Sequence, residues 1–206
     1  MNSPDKPGTV PKTVSKTHRI ALPKDIPAIV ELMGLAIREN MKAFLSAAEI
    51  QAAQETMGVD QSLIADGTYF VIETLESHTQ SPALENSAAS TATRLIGCGG
   101  WGKRRTLYGG DHTRGRNDTL SDPTTEAARI RAMYTHPQFS RQGIGSLLLD
   151  LGEQAARAAG FSTIELGSTL AGEPLYLARG YRELSRETHI AANGANNVVI
   201  KMSKLL

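Results

Sequence analysis

One stretch, residues 127–160, constrains the fold of this chain more than any other, because it predicts a strand, a glycine loop and a helix in direct succession. A period of two over residues 129–134 indicates a β-strand, and Pro137 ends it since proline cannot donate to a strand ladder. After Gly143-Ile144-Gly145, apolar residues recur every three or four positions, which predicts an amphipathic helix. Gly160 stands where a left-handed residue would end that helix.

The loop before this helix has the chemistry of an anion site. Glycine lets a ligand approach the backbone, and the first amides of a helix lack partners and lie at the positive end of its dipole. Together they favour a phosphate or pyrophosphate, although a tight turn that binds nothing accounts for the glycines equally well. A dinucleotide loop would need a third glycine where Leu148 stands. A Walker A loop would need a lysine after Gly143 or Gly145.

The same stretch resembles the central motif of the GNAT superfamily of N-acetyltransferases. In that family a strand runs through the pattern V-x-P-x-[aromatic]-x-x-x-G-x-G into a long helix. The positions that match here are Thr135, Pro137, Phe139, Gly143 and Gly145. The family's loop usually starts with Gln or Arg, and Ser140 departs from that pattern. Arg141 and Gln142 are the polar residues that would replace the lost contact.

A second family signature follows in the order that the family requires. Residues 175–181, Leu-Tyr-Leu-Ala-Arg-Gly-Tyr, match the pattern [aromatic or Leu]-Tyr-x-x-x-Gly-[Phe/Tyr]. Thr169 and Ala171 match only in part the Asn and Ala that many members carry ahead of the tyrosine. The resemblance extends over roughly residues 18–203 and is strongest over 127–181.

The resemblance implies an α/β fold, namely a mixed, mostly antiparallel seven-stranded sheet that is flanked by helices and splayed between strands 4 and 5. It also implies an N-acetyltransferase that moves acetyl from acetyl-CoA directly to a primary amine of a small molecule or peptide. The cofactor-binding positions that it implies are Met133, Tyr134, Thr135, Arg141, Gln142, Gly143, Ile144, Gly145 and Ser146. A catalytically silent acyl-CoA-binding sensor of the same fold, or a protein of this fold that does not bind CoA, is the alternative.

Tyr176 is the candidate general acid for the leaving thiolate. A phenol donates a proton, and its ordinary pKa of about 10 is not far from that of a thiol. A tyrosine that only packs against the cofactor is the alternative. The general base is less defined, since some members of the family carry a glutamate in the central strand and residues 128–132 contain none. Glu73 is a weak candidate base, and Glu126 or a chain of water molecules are the other options.

The remaining sequence predicts one domain, residues 18–206, after a disordered tail, 1–17, that is rich in proline and lysine. The Ser46-x-x-Glu49 pattern is a capping box, and Asp25 is a candidate helix N-cap. Further strands are predicted at 18–22, 69–74, 94–101, 163–166, 181–187 and 197–203, with helices at 26–37, 46–57 and 168–179.

Two long loops interrupt this pattern. Residues 77–93 are polar, and we expect them to be mobile. Residues 102–126 predict either a segment that recognises the substrate or a solvated charged loop. Their arginines hint at an acidic or phosphate-bearing acceptor, whereas the adjacent Asp111 and His112 are weak evidence for a metal, and no metal is expected.

Composition and charge limit the class of protein and the partners that this sequence allows. Hydrophobic residues make up 40% of the 206 residues and charged residues 21%, which is typical of a globular protein, and the formal net charge of +1 favours neither nucleic acid nor membrane as a partner. The single cysteine, Cys98, excludes an internal disulfide, suits the cytoplasm and is predicted to be a buried strand residue. No run has the length of a membrane span, and the N-terminal residues lack the apolar core of a signal peptide, so neither feature is expected. The family resemblance makes a homodimer a further expectation.

Overall fold

The computed structural model of the protein describes residues 15–75 and 93–206. Over these ranges the chain forms seven strands and five α-helices. In chain order they are β1 Lys16–Ile20, α1 Ile26–Asn40, α2 Ala47–Thr56, α3 Gln61–Ala65, β2 Tyr69–Leu75, β3 Thr93–Gly102, β4 Ala128–Thr135, α4 Ile144–Ala158, β5 Thr163–Ser168, α5 Glu173–Ala178, β6 Arg182–Ile190 and β7 Asn196–Leu205. Single 3-10 turns, Pro23–Asp25 and Pro137–Phe139, precede α1 and follow β4.

All seven strands belong to one sheet in the order β1-β2-β3-β4-β5-β7-β6. Every neighbouring pair is antiparallel except β4 and β5, which run parallel. That parallel pair is joined at only two positions, Ala128 with Ile164 and Arg129 with Glu165. The two strands separate beyond those positions, so the predicted mixed sheet with a gap between strands 4 and 5 is confirmed.

Local signals in the sequence explain how the helices before β2 begin. Ser46 and Glu49 form the predicted capping box, since the Ser46 amide donates to the Glu49 carboxylate at 2.8 Å and the Glu49 amide donates to Ser46 Oγ at 3.3 Å. Asp25 occupies the N-cap position of α1 without capping it. Its carboxylate instead accepts from the Leu22 amide at 2.7 Å and from Arg19. The short helix α3 was not predicted, although Asp60 caps it by accepting from the Ser62 amide at 3.1 Å.

Two hydrophobic cores cover the two faces of the sheet. On one face α4 packs its apolar side, including Ile144, Leu148 and Leu149, against β3, β4 and β5. The other face is covered by α1, α2 and α3. Cys98 belongs to this second core and is fully buried, as predicted, and burial raises the pKa of its thiol to about 12. A thiol that stays protonated at neutral pH is inert, so Cys98 has a packing role.

Several element boundaries differ from those predicted. β1 starts at Lys16 because the strand pairs with β2 from Lys16 opposite Thr74 onward. α5 starts at Glu173, several residues later than predicted, and the closing strands are longer. Residues 1–14 of the predicted tail, and the predicted mobile loop apart from Thr93, lie outside the described residues. Among the described helices none is both long and apolar enough to cross a bilayer.

Candidate active site

The central strand β4 contains a bulge at the position where it begins to diverge from β5. Cys98 of β3 lies opposite Tyr134, whereas Gly100 lies opposite Arg131, so β4 has one more residue than β3 over this interval. Ala132 absorbs the extra length with φ of +50°, a left-handed conformation that an alanine seldom adopts. The bulge therefore redirects the backbone of residues 133–135 at the edge of the gap.

Two residues of neighbouring strands hold this bulge in place. Tyr69, on β2, donates its hydroxyl to the Ala132 carbonyl at 2.7 Å. Gly99, on β3, lies so close to Met133 that a Cβ there would be 2.7 Å from the Met133 Cγ. Close packing thus requires glycine at position 99.

The loop into α4 has open backbone amides, as the sequence predicts. Gly143 has φ of +82°, and a Cβ at this position would meet nothing within 4 Å. The Leu147 amide donates to the Gly143 carbonyl at 2.9 Å, so the helical hydrogen bonds start there and the preceding amides are the ones that a helix N-terminus leaves unpaired. This open, positively polarised end of the helix fits a pyrophosphate.

The side chains around the loop have different roles. Ile144 is buried against Gly97 of β3, so only its backbone faces the loop. Arg141 is exposed and has φ of +62°. Lys16 donates its ammonium to the Gln142 carbonyl at 2.6 Å and adds positive charge beside the loop. Ser140, the departure from the family pattern, donates to the Asn40 side chain of α1 at 3.3 Å.

Gly145 has a different role from that of Gly143. A Cβ at Gly145 would be 2.8 Å from Leu175 Cδ2, so the glycine lets α5 pack directly over the first turn of α4. This contact brings the two family signatures together, and it places Tyr176 beside the loop. The conformation of the loop thus depends on Gly143, and the docking of α5 depends on Gly145.

A cavity of about 240 Å³ opens between the diverging strands β4 and β5. One side is formed by α1, another by the start of α5, and the floor by the bulge. The residues of β4, α4 and α5 that line it are Ile130, Arg131, Ala132, Met133, Tyr134, Thr135, Gly145, Leu175 and Tyr176. Four of the predicted cofactor-binding residues therefore meet in one cavity, and the remaining five lie at the entry to α4.

Tyr176 lies over the bulge, with its hydroxyl 3.9 Å from the Met133 sulfur. Its ring makes an edge-to-face contact with Tyr181, with the ring centroids 5.7 Å apart. Burial raises the pKa of the Tyr176 phenol to about 12, so the hydroxyl holds its proton at neutral pH. The group is thus poised to donate a proton or a hydrogen bond into the cavity.

The candidate bases lie elsewhere. Glu73 accepts two hydrogen bonds from Arg19, at 2.8 and 3.2 Å, and is not among the residues that line the cavity. Glu126 pairs with Arg105 at 2.7 Å, and this guanidinium lowers the pKa of the carboxyl to about 2. The structure therefore places both carboxylates in ion pairs outside the cavity.

The long loop between β3 and β4 is folded rather than merely solvated. Its arginines form ion pairs within the protein: Arg104 with Asp66 at 2.7 Å, and Arg116 with Asp60 at 3.0 Å. Its segment 107–109 lines the cavity. The loop therefore lines the cavity, while Arg104, Arg105 and Arg116 are paired with carboxylates of the protein itself.

The remaining residues of this loop that the sequence singled out contact the connection between α2 and α3. Asp111 accepts from the Gln61 amide at 3.1 Å, and His112 lies 2.8 Å from the Glu55 carbonyl. Among the residues that the structure describes, no three side chains of the metal-binding types are grouped.

Two residues that line the cavity were missed by sequence reasoning. Asn40, at the end of α1, donates to the Thr135 carbonyl at 2.7 Å and so links α1 to the last residue of β4. Tyr108 packs on Gly167 of β5. Both contacts join segments that are distant in sequence, and no local pattern marks either residue.

Comparison with known proteins agrees with this geometry. A family model described as the acetyltransferase (GNAT) domain matches residues 89–183. A GCN5-related N-acetyltransferase from Rhodopseudomonas palustris aligns with a TM-score of 0.57 and 18% identity over 97% of this chain and 99% of its own. The yncA protein of Salmonella typhimurium, solved with its cofactor acetyl-CoA, aligns with a TM-score of 0.55 and 18% identity over 93% and 94%.

A mosquito arylalkylamine N-acetyltransferase like 5b also shares the fold, with a TM-score of 0.57 and 14% identity over 93% of this chain and 100% of its own. No curated protein sequence matches the chain. At identities of 14% to 18%, the structural similarity shows a shared fold and nothing about the substrate.

Proposed function

We propose that this chain, which matches the acetyltransferase (GNAT) domain model over residues 89–183 and shares the fold of GCN5-related N-acetyltransferases, is an acetyl-CoA-dependent N-acetyltransferase acting on a primary amine of a small molecule or peptide. The observation that supports this most is that Tyr176, the β4 bulge and Gly145 of the first turn of α4 line one cavity, next to the open loop at Gly143. Each of these is a part that acyl transfer needs: an acid, oriented backbone donors and an anion site.

The entry to α4 holds the cofactor in this proposal. Unpaired amides at residues 143–146 bind the pyrophosphate, and the open space above Gly143 admits it. Lys16 lies beside the same loop and contributes positive charge. The pantetheine arm then enters the gap where β5 has left β4, because the strand edge beyond Arg129 has no β5 partner.

Acetyl-CoA supplies a thioester whose carbonyl carbon accepts the amine. In this proposal, backbone N–H groups within residues 133–135, next to the bulge that lines the cavity, orient that carbonyl and stabilise negative charge on its oxygen. As the new N–C bond forms and the C–S bond breaks, Tyr176 donates to the sulfur. We assign the proton lost by the amine to water at the mouth of the cavity.

The raised pKa of Tyr176 limits how it acts. A phenol with a pKa of about 12 is a weaker acid than a thiol with a pKa of about 8.5, so transfer of its proton to the thiolate is uphill in water. Its main effect is then a hydrogen bond that strengthens as charge develops on sulfur in the apolar gap. General acids contribute roughly 10²–10⁴-fold to rates, and we expect Tyr176 to contribute toward the lower end.

Replacing Tyr176 with Phe tests the proposal and separates an enzyme from a silent sensor. The release of CoA would be followed with a panel of primary amines, and the affinity for acetyl-CoA would be measured by calorimetry. We expect kcat to fall about 100-fold while the dissociation constant for acetyl-CoA changes less than threefold. Wild-type protein that binds acetyl-CoA but acetylates none of the amines would support the sensor and defeat the enzyme.

A further inference from the structure

The segment Leu107-Tyr108-Gly109 lies at the gap in the sheet. All three residues line the cavity. Tyr108 lies against Gly167 of β5 so closely that a Cβ on Gly167 would be 3.0 Å from Tyr108 Cδ1. A segment of the β3–β4 connection therefore forms a wall of the cavity at the gap between the strands.

A buried arginine of β4 holds both ends of this segment. Arg131 donates to the Thr106 carbonyl at 2.8 Å and to the Gly109 carbonyl at 2.7 Å. The same guanidinium pairs with Asp60 at 2.7 Å, and these two side chains are 3% and 0% exposed. Because the two carbonyls flank Leu107 and Tyr108, Arg131 fixes where the wall stands relative to the bulge, which begins at the next residue of β4.

A second arginine reaches the same carboxylate from within the loop. Arg116 donates to Asp60 at 3.0 Å and to the Gly110 carbonyl at 3.0 Å. Asp60 thus receives two guanidinium groups, one from the sheet and one from the loop, and the loop is joined to α3 as well as to β4. Arg116, one of the loop arginines considered for an acidic acceptor, is thus engaged in holding the loop.

The surfaces that face the wall are mainly apolar. α1 contributes Ala36, Ile37 and Met41, and β7 contributes Val198. Burial of an apolar ligand surface against such groups contributes about 25 cal/mol per Å², while a few neutral polar groups such as Asn40 orient the ligand. The chemistry of this space suits an amine that carries an apolar body.

We propose that residues 107–109 are the acceptor-binding wall, that Arg131 and Asp60 are its positioning residues, and that the chain therefore prefers primary amines with an apolar body. This inference rests on the proposed acetyltransferase activity. The wall contributes contact area and shape, and the ion pair keeps it at a fixed distance from the bulge.

The preference is tested with phenethylamine and ethanolamine, two primary amines that differ in the apolar body. We expect kcat/KM for phenethylamine, measured by release of CoA, to exceed that for ethanolamine at least tenfold. Equal values, or a preference for ethanolamine, would overturn the inference while leaving the acetyltransferase proposal intact. If the enzyme releases no CoA with any primary amine, both proposals fail together.

The wall is tested directly by Tyr108→Ala, which shortens it without altering the ion pair. We expect kcat/KM for phenethylamine to fall about tenfold and KM for acetyl-CoA to stay within twofold. An unchanged kcat/KM for phenethylamine would show that Tyr108 does not contact the acceptor and would overturn the assignment of the wall.

The positioning role is tested with Arg131→Met, with Arg129→Met on the same strand as the matched control, since Arg129 pairs with Glu165 instead. We expect Arg131→Met to raise KM for phenethylamine and to accelerate amide exchange over residues 103–121, with no such change in Arg129→Met. If Arg131→Met does not fold, Arg131→Lys keeps a cation beside Asp60 but loses the planar guanidinium that reaches both carbonyls, and it gives the same comparison. If the folded Arg131 variant has the same amide exchange and the same KM for phenethylamine as the wild type, the positioning role of Arg131 is overturned.

Discussion

At the scale of single residues, the geometry of the site depends on conformations that the local sequence does not favour. Ala132 is left-handed, and for an L-residue other than glycine this costs roughly 1–2 kcal/mol. The hydrogen bond from Tyr69 helps to offset that cost, because it satisfies the carbonyl that the bulge removes from the strand ladder. The bulge is thus maintained from β2, two strands away.

Tyr69→Phe is expected to destabilise the fold by about 1–2 kcal/mol, since the Ala132 carbonyl loses its donor. Ala132→Gly in the same background should recover part of this loss, because glycine adopts positive φ without strain. Urea unfolding of the two single variants and the double variant measures both effects. If Ala132→Gly changed the stability by the same amount in the Tyr69→Phe background as in the wild type, the two residues would not be coupled.

Gly143 is the second residue whose left-handed backbone conformation shapes the site, and Gly194 is a matched control for its substitution. Gly143 and Gly194 have φ of +82° and +78°, and a Cβ on either would meet nothing within 4 Å. Alanine at either position should therefore cost a similar roughly 1 kcal/mol of stability. Only Gly143 lies at the entry to α4, so only its substitution should disturb the anion site.

We expect a saturating concentration of acetyl-CoA to raise the melting temperature of the wild type and of Gly194→Ala, and to do so much less for Gly143→Ala. A ligand at 100 times its dissociation constant stabilises the native state by about 2.7 kcal/mol. Dephospho-CoA serves as the control ligand. Equal shifts in both variants would show that this loop does not hold the cofactor.

At the scale of secondary-structure elements, an ion-pair network joins β1, β2 and the turn before α1. Arg19 pairs with Asp25 at 2.7 Å and with Glu73 at 2.8 Å. These pairs explain why Asp25 does not cap α1, and why Glu73, the carboxylate that the sequence offered as a weak base, is committed to a structural contact. A sequence shows that such charges exist but not which of them meet.

This network predicts a pH dependence of stability. The hydrogen bond from Arg19 lowers the pKa of Asp25 below its ordinary value. Because the folded pKa lies below the unfolded one, the contribution of Asp25 is complete above about pH 4 and is lost as the pH falls through the folded value. Asp25→Asn should therefore cost about 1 kcal/mol at pH 6, a figure that allows for the exposure of Arg19, and less at pH 3.

Chemical denaturation of the wild type and Asp25→Asn at both pH values measures the difference. A cost that is the same at pH 3 and pH 6 would exclude the ion pair as its cause. Glu73→Gln serves as a parallel variant in which the stability should also fall, while turnover with an amine acceptor should persist.

Prediction from sequence was most successful where structure follows local periodicity and short motifs. The strand β4, the helix α4 and the loop that holds Gly143 were predicted in the order and nearly at the boundaries found, because alternation, glycine and a helical stripe act within a few residues. The helix α3 and the boundaries of β1 and α5 were not predicted. α3 is only five residues long, and β1 is extended by its pairing with β2.

At the scale of the whole molecule, the cavity is a product of topology. Its walls come from α1, the β3–β4 connection, β4, α5 and β7. These elements are distant in the sequence, since Ala36 and Asn197, which both line the cavity, are about 160 residues apart. Asn40 and Tyr108 were missed for this reason, because their importance arises from partners that no local pattern reveals. The family signatures predicted the centre of the site, and the tertiary fold determines its edges.

The strand order has a consequence for the synthesis of this protein. β6 pairs with β7 alone among the described strands, and β7 lies between β5 and β6 although it follows both in the chain. A nascent chain that has been translated as far as Ile190 holds both family signatures but lacks the strand that joins β6 to the sheet. β7 must therefore emerge from the ribosome before the last wall of the cavity can form, so this cavity is completed only after the residues of both signatures have been made.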